Sequence, residues 1–346
     1  MKFTTLSTTD LKVSNICLGT MSYGHQVNEA DAHAQLDYAV GNQVNFIDTA
    51  EMYPVPSQAD TYGETERIIG RWLKKTGKRK EIVLASKVGG PNRYTHIRTG
   101  DNRLDKANIE AALDESLKRL QTDVIDLYQL HWPDRNVNYF GQRGYVHADH
   151  EQATPIEETL EALAGVVKAG KVKYVGLSNE TSWGTLEFLR IAKEKNLPRM
   201  VSVQNPYNLL NRHYDINMAE ISMRETIGLL VYSPLGYGVL GGRYLGGNMP
   251  KGGRFTLHPQ FAPRYRTLQA QKVAQLYADL AKKHGLSLAQ MSLAFVNMQP
   301  FVTSNIIGAS NLDQLKEDID TGEMILSDDV LKGIEEIHEQ YPNPVA

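Results

Sequence analysis

The apolar runs Ile82-Val83-Leu84-Ala85-Ser86-Lys87 and Ile125-Asp126-Leu127-Tyr128-Gln129-Leu130-His131 enclose a helical pattern at residues 106–121. Within that pattern, apolar residues recur every three or four positions, and Asp105 precedes it as a candidate N-cap. A strand, a helix and a second strand in this order predict a parallel β-α-β unit.

The same alternation extends over most of the chain. Further strand candidates lie at residues 15–19, 44–49, 174–179, 200–205, 228–234 and 305–308. Further helical patterns lie at residues 64–75, 183–195, 267–284, 287–298, 312–320 and 328–340, and Thr154-Pro155-Ile156-Glu157 predicts a capping box with Pro155 in the first helical position. Together with residues 81–88 and 124–131, the strand candidates number eight, and eight parallel strands close a barrel.

We therefore predict an α/β fold, a (β/α)8 TIM barrel, with an open doubly wound sheet as the competing architecture. The first 14 or so residues read as an N-terminal β-hairpin, and extra helices are expected near the C-terminus. No Pro/Gly/Ser-rich linker divides the chain, so residues 1–346 are predicted to form a single domain.

The charge and the cysteine content of the chain limit the binding partners and the cellular location that we expect. Thirty-seven basic and 40 acidic residues give a net charge of −3, which provides no electrostatic reason to expect nucleic acid or an anionic membrane. Polar residues interrupt the longest uncharged stretch, residues 285–312, so a membrane span is not predicted. The single cysteine, Cys17, and the polar N-terminal residues fit a cytoplasmic protein without a signal peptide.

Polar side chains stand at the ends of the predicted strands. Asp48, Lys87 and His131 end three consecutive strands, and the later strands end in Ser178-Asn179, Gln204-Asn205 and Tyr232-Ser233. Successive sites are separated by roughly one strand–helix unit, so all of them can converge on one rim of a barrel. A lone Asp, Lys or His at such a position is usually a cap or a solvated residue. Three charged or polar strand ends in succession can instead supply partners to one another.

Such a cluster suits proton delivery to a carbonyl oxygen. Tyr53 follows Asp48 by five residues, and a neighbouring lysine held by a carboxylate is expected to lower the pKa of its phenol. His131 could orient the carbonyl or share the proton. A metal site is not expected, because the chain has no Cys pair and no His-x-x-x-His helix.

Two loops could hold phosphate groups. Gly236-Tyr-Gly-Val-Leu-Gly241 matches G-x-G-x-x-G, but further glycines follow it where a dinucleotide fingerprint needs a helix. It reads as a surface loop or as a mobile loop that closes over a ligand, with Arg243 supplying charge. Near the C-terminus, Gly308-Ala-Ser-Asn311 leads from a strand into a helix whose free N–H groups could face a phosphate.

The quoted motifs resemble those of the aldo-keto reductase superfamily. The matching stretches occur in the family's order and are Leu18-Gly-Thr-Met21, Phe46-Ile-Asp48-Thr-Ala-Glu-Met-Tyr53, Ala85-Ser-Lys87, His131-Trp132-Pro133, Gly176-Leu-Ser-Asn179, Gln204-Asn205-Pro-Tyr207, Tyr232-Ser-Pro-Leu-Gly236 and Gly308-Ala-Ser-Asn311. Within the superfamily the chain is most similar to the Tas-type bacterial branch, which is related to the potassium-channel β-subunit branch.

The resemblance implies carbonyl reduction with NADP(H). It implies that Tyr53 is the proton donor, that Asp48 and Lys87 tune it, and that His131 orients the carbonyl. The cofactor contacts that it implies are Thr20, Met21, Asp48, Ser178, Asn179, Gln204, Tyr232, Ser233, Leu235, Gly236, Arg243, Ser310, Gln314 and Glu317. A small carbonyl substrate is expected between Tyr23, Trp132, the loops 54–62 and 133–153, and the tail after Tyr341.

Two departures from the family pattern bear on these expectations. The catalytic tyrosine of the family is usually followed by glycine, whereas Tyr53 is followed by Pro54 and a Tyr-Gly pair comes later at Tyr62. The usual adenine-binding asparagine corresponds to Asp318, and some branches have Lys and Arg where Ala309 and Gln314 stand, so Arg243 is left as the main counter-charge for a 2′-phosphate. Alternative functions are a cofactor-binding regulatory protein with slow reductase activity and a Schiff-base lyase using Lys87.

Overall fold

In a computed structural model, eight parallel strands form a closed barrel, as the sequence predicts. The structure describes residues 1–98, 100–142, 144–148 and 152–345. Part of the predicted loop 133–153 therefore lies outside the described residues.

Two short strands, β1 (Phe3–Thr5) and β2 (Lys12–Ser14), form the predicted antiparallel hairpin. The barrel strands are β3 (Ile16–Gly19), β4 (Phe46–Asp48), β5 (Val83–Val88), β6 (Ile125–Leu130), β7 (Val172–Ser178), β8 (Met200–Pro206), β9 (Gly228–Tyr232) and β10 (Val302–Ile307).

The register of neighbouring strands brings the polar strand ends to one rim. Gly19 pairs with Asp48 across β3 and β4, and Lys87 pairs with Gln129 across β5 and β6. Ser178 pairs with Gln204 across β7 and β8. In a parallel sheet, paired residues lie at the same height, so these side chains share the carboxyl end of the barrel.

Helices surround the barrel. In the described residues they are α1 (Glu29–Gly41), α2 (Glu64–Thr76), α3 (Lys106–Leu120), α4 (Ile156–Lys168), α5 (Ser182–Lys195), α6 (Met218–Glu225), α7 (Arg254–Leu257), α8 (Leu268–Lys283), α9 (Leu288–Asn297), α10 (Leu312–Asp320) and α11 (Asp328–Gln340). The sequence patterns did not include α1, α6 and α7. The buried face of α1 consists of two alanines, one leucine and a glutamine, which is a weak apolar stripe.

Helix α3 begins as predicted, and helix α4 does not. The side chain of Asp105 accepts a hydrogen bond from the Asn108 N–H and caps α3. Helix α4 starts at Ile156 with Pro155 as its N-cap residue and no side-chain cap. The hydroxyl of Thr154 donates instead to Asp134 at 2.8 Å, so the predicted capping box is wrong.

The hairpin closes the amino end of the barrel, and the carboxyl end stays free for a site. Leu6 and Val13 of the hairpin region belong to the same buried cluster as Cys17, Phe46 and Leu230 of the barrel interior. Two of the predicted extra helices, α8 and α11, pack against each other outside the barrel. No helix in the described part of the chain is long and apolar enough to cross a membrane.

Candidate active site

A fully buried lysine lies at the centre of the carboxyl rim. The Lys87 Nζ atom donates to the Asp48 Oδ2 atom at 2.5 Å and to the carbonyl oxygen of Thr49 at 2.8 Å. Its third neighbour is the Tyr53 hydroxyl at 3.5 Å. Because an unpaired buried ammonium is costly, these contacts explain how the strand end tolerates a charge. The structure thus brings together three of the four predicted catalytic residues.

The second carboxylate oxygen of Asp48 has two amide partners. The Gln204 Nε2 atom donates to Asp48 Oδ1 at 2.9 Å, and the Gln129 Nε2 atom donates to the same oxygen at 3.1 Å. Gln204 also donates to the Gln129 side-chain oxygen at 3.1 Å. Gln129 was not among the predicted site residues. Strand alternation places Gln129 on the same face as His131, and a buried amide on a strand is a usable signal.

Burial and charge set the protonation states of this cluster. Burial alone would lower the pKa of Lys87, but Asp48 and Tyr53 outweigh it and raise that pKa above its ordinary value. Burial raises the pKa of Tyr53 by more than Lys87 lowers it. The pKa of this phenol is therefore above its ordinary value, whereas the sequence predicted that it would be lowered. Lys87 is therefore charged and Tyr53 is protonated at neutral pH.

His131 faces Tyr53 across the rim. The two ring centroids are 5.8 Å apart and the ring planes are nearly perpendicular. Burial, followed by the charges of Lys87 and Arg93, holds the pKa of His131 well below its usual range. The imidazole is therefore neutral at physiological pH, and its Nδ1 atom has no hydrogen-bond partner among the described residues.

Hydrogen bonds link the ends of β7, β8 and β9. Asn179 donates to the backbone oxygen of His131 at 2.9 Å and accepts a hydrogen bond from the Tyr232 hydroxyl at 2.7 Å. The Ser178 hydroxyl donates to the backbone oxygen of Gln204 at 3.0 Å. Asn179 adopts φ +53, a conformation that asparagine tolerates better than most residues. The amide and hydroxyl groups of three strands therefore have fixed orientations beside His131.

A cavity of about 560 Å³ extends from Tyr53 and His131 to the start of α10. Most of the predicted site residues line it, namely Thr20, Met21, Asp48, Tyr53, His131, Ser178, Asn179, Gln204, Tyr232, Ser233, Leu235, Arg243, Ser310, Gln314 and Glu317. Lys87 lies beneath its floor, and Gly236 lies behind its wall against the ring of Tyr265.

Neither predicted substrate-binding side chain lines this cavity. The Tyr23 hydroxyl donates to Gln35 at 3.1 Å, which directs the ring into the packing beneath α1. The Trp132 indole donates to the backbone oxygen of Pro91 at 3.0 Å and is buried behind His131. Of the loop 54–62, only Val55 lines the cavity, and Tyr62 does not. Among the described residues after Tyr341, none lines the cavity.

The far end of the cavity is built around the start of α10. Asn311 caps this helix, and the side chain of Gln314 accepts hydrogen bonds from the Ser310 N–H and hydroxyl. Arg243 donates to the Ser310 hydroxyl at 3.3 Å. Burial, and then the charge of Glu317, raises the pKa of Asp318 to about 8.

The glycine-rich segment 236–241 does not open a helix. It forms a short 3-10 turn at Gly236–Gly238, and Gly238 and Gly241 line the cavity. The structure therefore agrees with the rejection of a dinucleotide fingerprint and leaves this segment as a wall of the cavity.

Comparison with known proteins gives the family of this site. The model of the aldo/keto reductase family matches residues 15–339. The chain belongs to the aldo/keto reductase family. This confirms the resemblance found in the motifs, and it places the protein among oxidoreductases, in a family that generally uses NAD(P)H.

Three relatives of this aldo/keto reductase share nearly its whole length. It is 50% identical to Protein tas of Escherichia coli (strain K12) over 346 residues, 99% of each chain. It is 34% identical to the uncharacterized oxidoreductase YrpG of Bacillus subtilis (strain 168), over 99% of this chain and 97% of that protein. It is 30% identical to a probable voltage-gated potassium channel subunit beta of Arabidopsis thaliana, over 99% and 98%.

The cavity of this aldo/keto reductase fits an elongated anionic cofactor. Four arginines line it, and none forms an ion pair with a carboxylate among the described residues; they are Arg93, Arg243, Arg254 and Arg264. A Cβ atom placed at Gly308 would meet only the Gly19 oxygen, at 3.7 Å, so the backbone there is open to a ligand. Only Arg243 was among the predicted contacts, because the segments that carry the other three show no strand or helix pattern in the sequence.

Proposed function

We propose that this protein reduces aldehydes or ketones to alcohols with NADPH, with Tyr53 as the general acid. The observation that carries the proposal is the buried contact between the Tyr53 hydroxyl and the Lys87 ammonium at the cavity floor, opposite a neutral His131. A protonated phenol beside a fixed cation is a suitable donor for a carbonyl oxygen that gains negative charge.

Each residue of the site would have a separate role in the transfer of the hydride and the proton. When bound, the nicotinamide supplies a hydride to the carbonyl carbon. Tyr53 gives its proton to the carbonyl oxygen, and Lys87 stabilises the phenolate that remains. Asp48 keeps Lys87 charged and in position through its 2.5 Å contact. Neutral His131 orients the carbonyl with a hydrogen bond, and it does not compete for the proton because its pKa is low.

The same cavity offers contacts for the whole cofactor. Ser178, Asn179 and Gln204 would hold the carboxamide, with Tyr232 stacked on the ring and Thr20 and Met21 at the nicotinamide end. Phosphates would meet Ser233, Leu235 and Arg243, whereas Gly236, which the resemblance also implies, lies behind the cavity wall. Ser310, Gln314 and Glu317 would bind the adenosine. A preference for NADP(H) over NAD(H) rests on the unpaired guanidinium of Arg243 beside Ser310.

Two alternatives differ from the reductase in measurable ways. A Schiff-base lyase needs a neutral, accessible amine, whereas Lys87 is buried and its raised pKa keeps it charged. A regulatory cofactor-binding protein is suggested by the relatives named as potassium channel β subunits. That function would show as tight cofactor binding with negligible turnover.

The experiment measures NADPH oxidation against a panel of aldehydes and ketones, with identification of the alcohol formed. We expect turnover with at least one carbonyl class and slower turnover with NADH. Lys87→Met should lose reduction and keep most cofactor affinity. A borohydride-trapped adduct on Lys87 would support the lyase, and cofactor binding without turnover on any carbonyl would support the regulatory protein. Either result would overturn the proposal.

A further inference from the structure

Two of the unpaired arginines lie on the catalytic half of the cavity, away from the proposed phosphate contacts. The charge of Arg93 acts on His131, and the charge of Arg264 acts on Tyr232. Both side chains line the cavity, together with Phe140 and Gly141, which lie between them. The pair is therefore close to the reacting end and separate from Ser310 and Arg243.

Packing holds Arg93 in this position. Its guanidinium carbon lies 4.3 Å from the centroid of the Phe140 ring, and its Nε atom donates to the Tyr94 hydroxyl at 3.3 Å. The segment that carries it is fixed by the hydrogen bond from Trp132 to Pro91 and by the ion pair between Arg98 and Glu51. Arg93 is exposed, and its remaining N–H groups have no acceptor among the described residues, so they are open to a ligand.

Arg264 faces the same turn from the other side. A Cβ atom at Gly141 would fall 1.4 Å from the Arg264 Nη1 atom, so the guanidinium lies directly against the backbone there. Gly141 has φ +85, which also favours glycine. The Nε atom of Arg264 is buried and has no hydrogen-bond partner among the described residues. Arg264 also lines the cavity, so an anionic ligand there would compensate a positive charge that has no carboxylate partner among the described residues.

Acidic side chains are absent from this part of the described cavity. Its three lining carboxylates are Asp48, which is paired with Lys87, and Glu317 and Asp318 at the α10 end. Two guanidinium groups without carboxylates match the planar, bidentate geometry that arginine offers to an oxoanion. The aromatic faces of Phe140 and Tyr94 beside them suit an apolar body next to the charge.

We propose that Arg93 and Arg264 form an anion subsite beside the catalytic tyrosine, and that the physiological carbonyl substrate carries a carboxylate. This inference rests on the proposed reductase function. It makes the two arginines specificity-determining residues, which bind the end of the substrate that does not react. Binding energy from such a group orients the carbonyl toward Tyr53.

The test compares two aldehydes of nearly equal shape, 4-carboxybenzaldehyde and methyl 4-formylbenzoate. The wild type should prefer the carboxylate at least about tenfold in kcat/KM. Arg93→Met and Arg264→Met should each reduce this preference, mainly through KM, and leave the neutral ester unchanged within about twofold. Arg93→Lys should restore part of the preference. Arg103→Met is the control, because Arg103 is exposed on the same loop and pairs with Asp101.

Failure of the subsite and failure of the reductase give different results. Equal kcat/KM for the two aldehydes, or an equal loss on the ester in the arginine variants, would overturn the subsite and leave the reductase intact. If neither aldehyde oxidises NADPH, the binding of benzoate to wild type and to Arg93→Met, measured by calorimetry, decides the subsite. Binding that Arg93→Met weakens at least about fivefold supports it, and any other result overturns it. Inorganic phosphate as a second probe distinguishes a carboxylate site from a phosphate site, and tighter binding of phosphate than of benzoate would overturn the carboxylate assignment.

Discussion

At the scale of single residues, the floor of the site combines one buried ion pair with two uncharged side chains. Lys87 and Asp48 form the buried pair, and Tyr53 and His131 remain uncharged on the cavity side of it. Buried ion pairs hold their geometry because loss of either partner strands a charge. The proposed donor, Tyr53, is therefore fixed in position before a substrate arrives, and such preorganisation would favour proton transfer.

Asp318 departs from this pattern and makes stability depend on pH. Its pKa of about 8 in the folded state exceeds the ordinary value of 3.8. The contribution of the protonated carboxyl to the free energy of unfolding is therefore complete below about pH 4, and it is lost as the pH rises through 8. Asp318→Asn stays neutral, and it should be more stable than the wild type at pH 8 by about 1–3 kcal/mol, with the difference vanishing near pH 4. Denaturant unfolding at several pH values measures this.

The matched control for that change is Asp320→Asn, which alters an exposed carboxylate at the end of the same helix. Its unfolding free energy should follow that of the wild type at every pH. A stability difference for Asp318→Asn that is equal at pH 5 and pH 8 would contradict the assignment.

The sequence predicted the cluster of polar residues at the strand ends but not all of the residues that surround it. Asp48, Lys87 and His131 interrupt apolar strands, and parallel pairing alone brings them to one rim. Arg264 and Arg93 lie on irregular segments whose path depends on contacts distant in sequence, so no local pattern reveals them. Tyr23 shows the opposite failure, because a hydrogen bond to Gln35 on the following helix directs its ring away from the cavity.

At the scale of elements, one close helix contact fixes how α2 and α3 pack outside the barrel. A Cβ atom at Gly70 in α2 would lie 2.2 Å from the backbone oxygen of Arg119 in α3. Beside it, Arg119 donates to the buried carboxylate of Glu66 at 2.7 Å, and Glu66 also accepts from Ser86 on β5. The glycine lets the two backbones approach closely enough for this buried network.

Gly70→Ala should therefore destabilise the protein by about 1–3 kcal/mol, because the methyl group overlaps backbone that has to shift. Gly165→Ala is the matched helical control, since no atom lies within 4 Å of a Cβ at Gly165 in α4. That change should stabilise by about 0.5–1 kcal/mol. Equal effects of the two substitutions in urea unfolding would show that the close approach of α2 and α3 is not important.

We expect cofactor choice to depend on the segment between β9 and α8. Arg243 in this segment is exposed, lines the cavity and reaches Ser310. Arg243→Ala should weaken NADPH binding about ten- to a hundredfold and NADH binding much less, the scale of one charge-assisted hydrogen bond. Fluorescence titration with both cofactors measures this, with Arg224→Ala on the exposed face of α6 as control. Equal weakening of both cofactors would show that Arg243 does not read the 2′-phosphate.

At the scale of the whole molecule, the two ends of the barrel have separate tasks. The β1–β2 hairpin and the apolar cluster around Cys17 and Phe46 close one end. Polar strand ends and loops build the cavity at the other. The sequence predicted this architecture because it holds eight strand candidates, most of them separated by segments with a helical period. It did not predict α1, whose apolar stripe is weak, or the lining of the substrate pocket, which long loops provide.

The proposed proton donor is Tyr53 and not Tyr62. Tyr53 lines the cavity beside Lys87, whereas Tyr62 packs away from it with its ring 6.0 Å from that of His96. Phenylalanine keeps either ring and removes only the hydroxyl. The most direct measurement is the rate of carbonyl reduction with saturating NADPH in the two variants. We predict that Tyr53→Phe lowers kcat by about 10²–10⁴-fold with cofactor affinity unchanged, and that Tyr62→Phe alters KM by no more than a few-fold. An active Tyr53→Phe enzyme together with an inactive Tyr62→Phe enzyme would show that Tyr62, and not Tyr53, gives the proton.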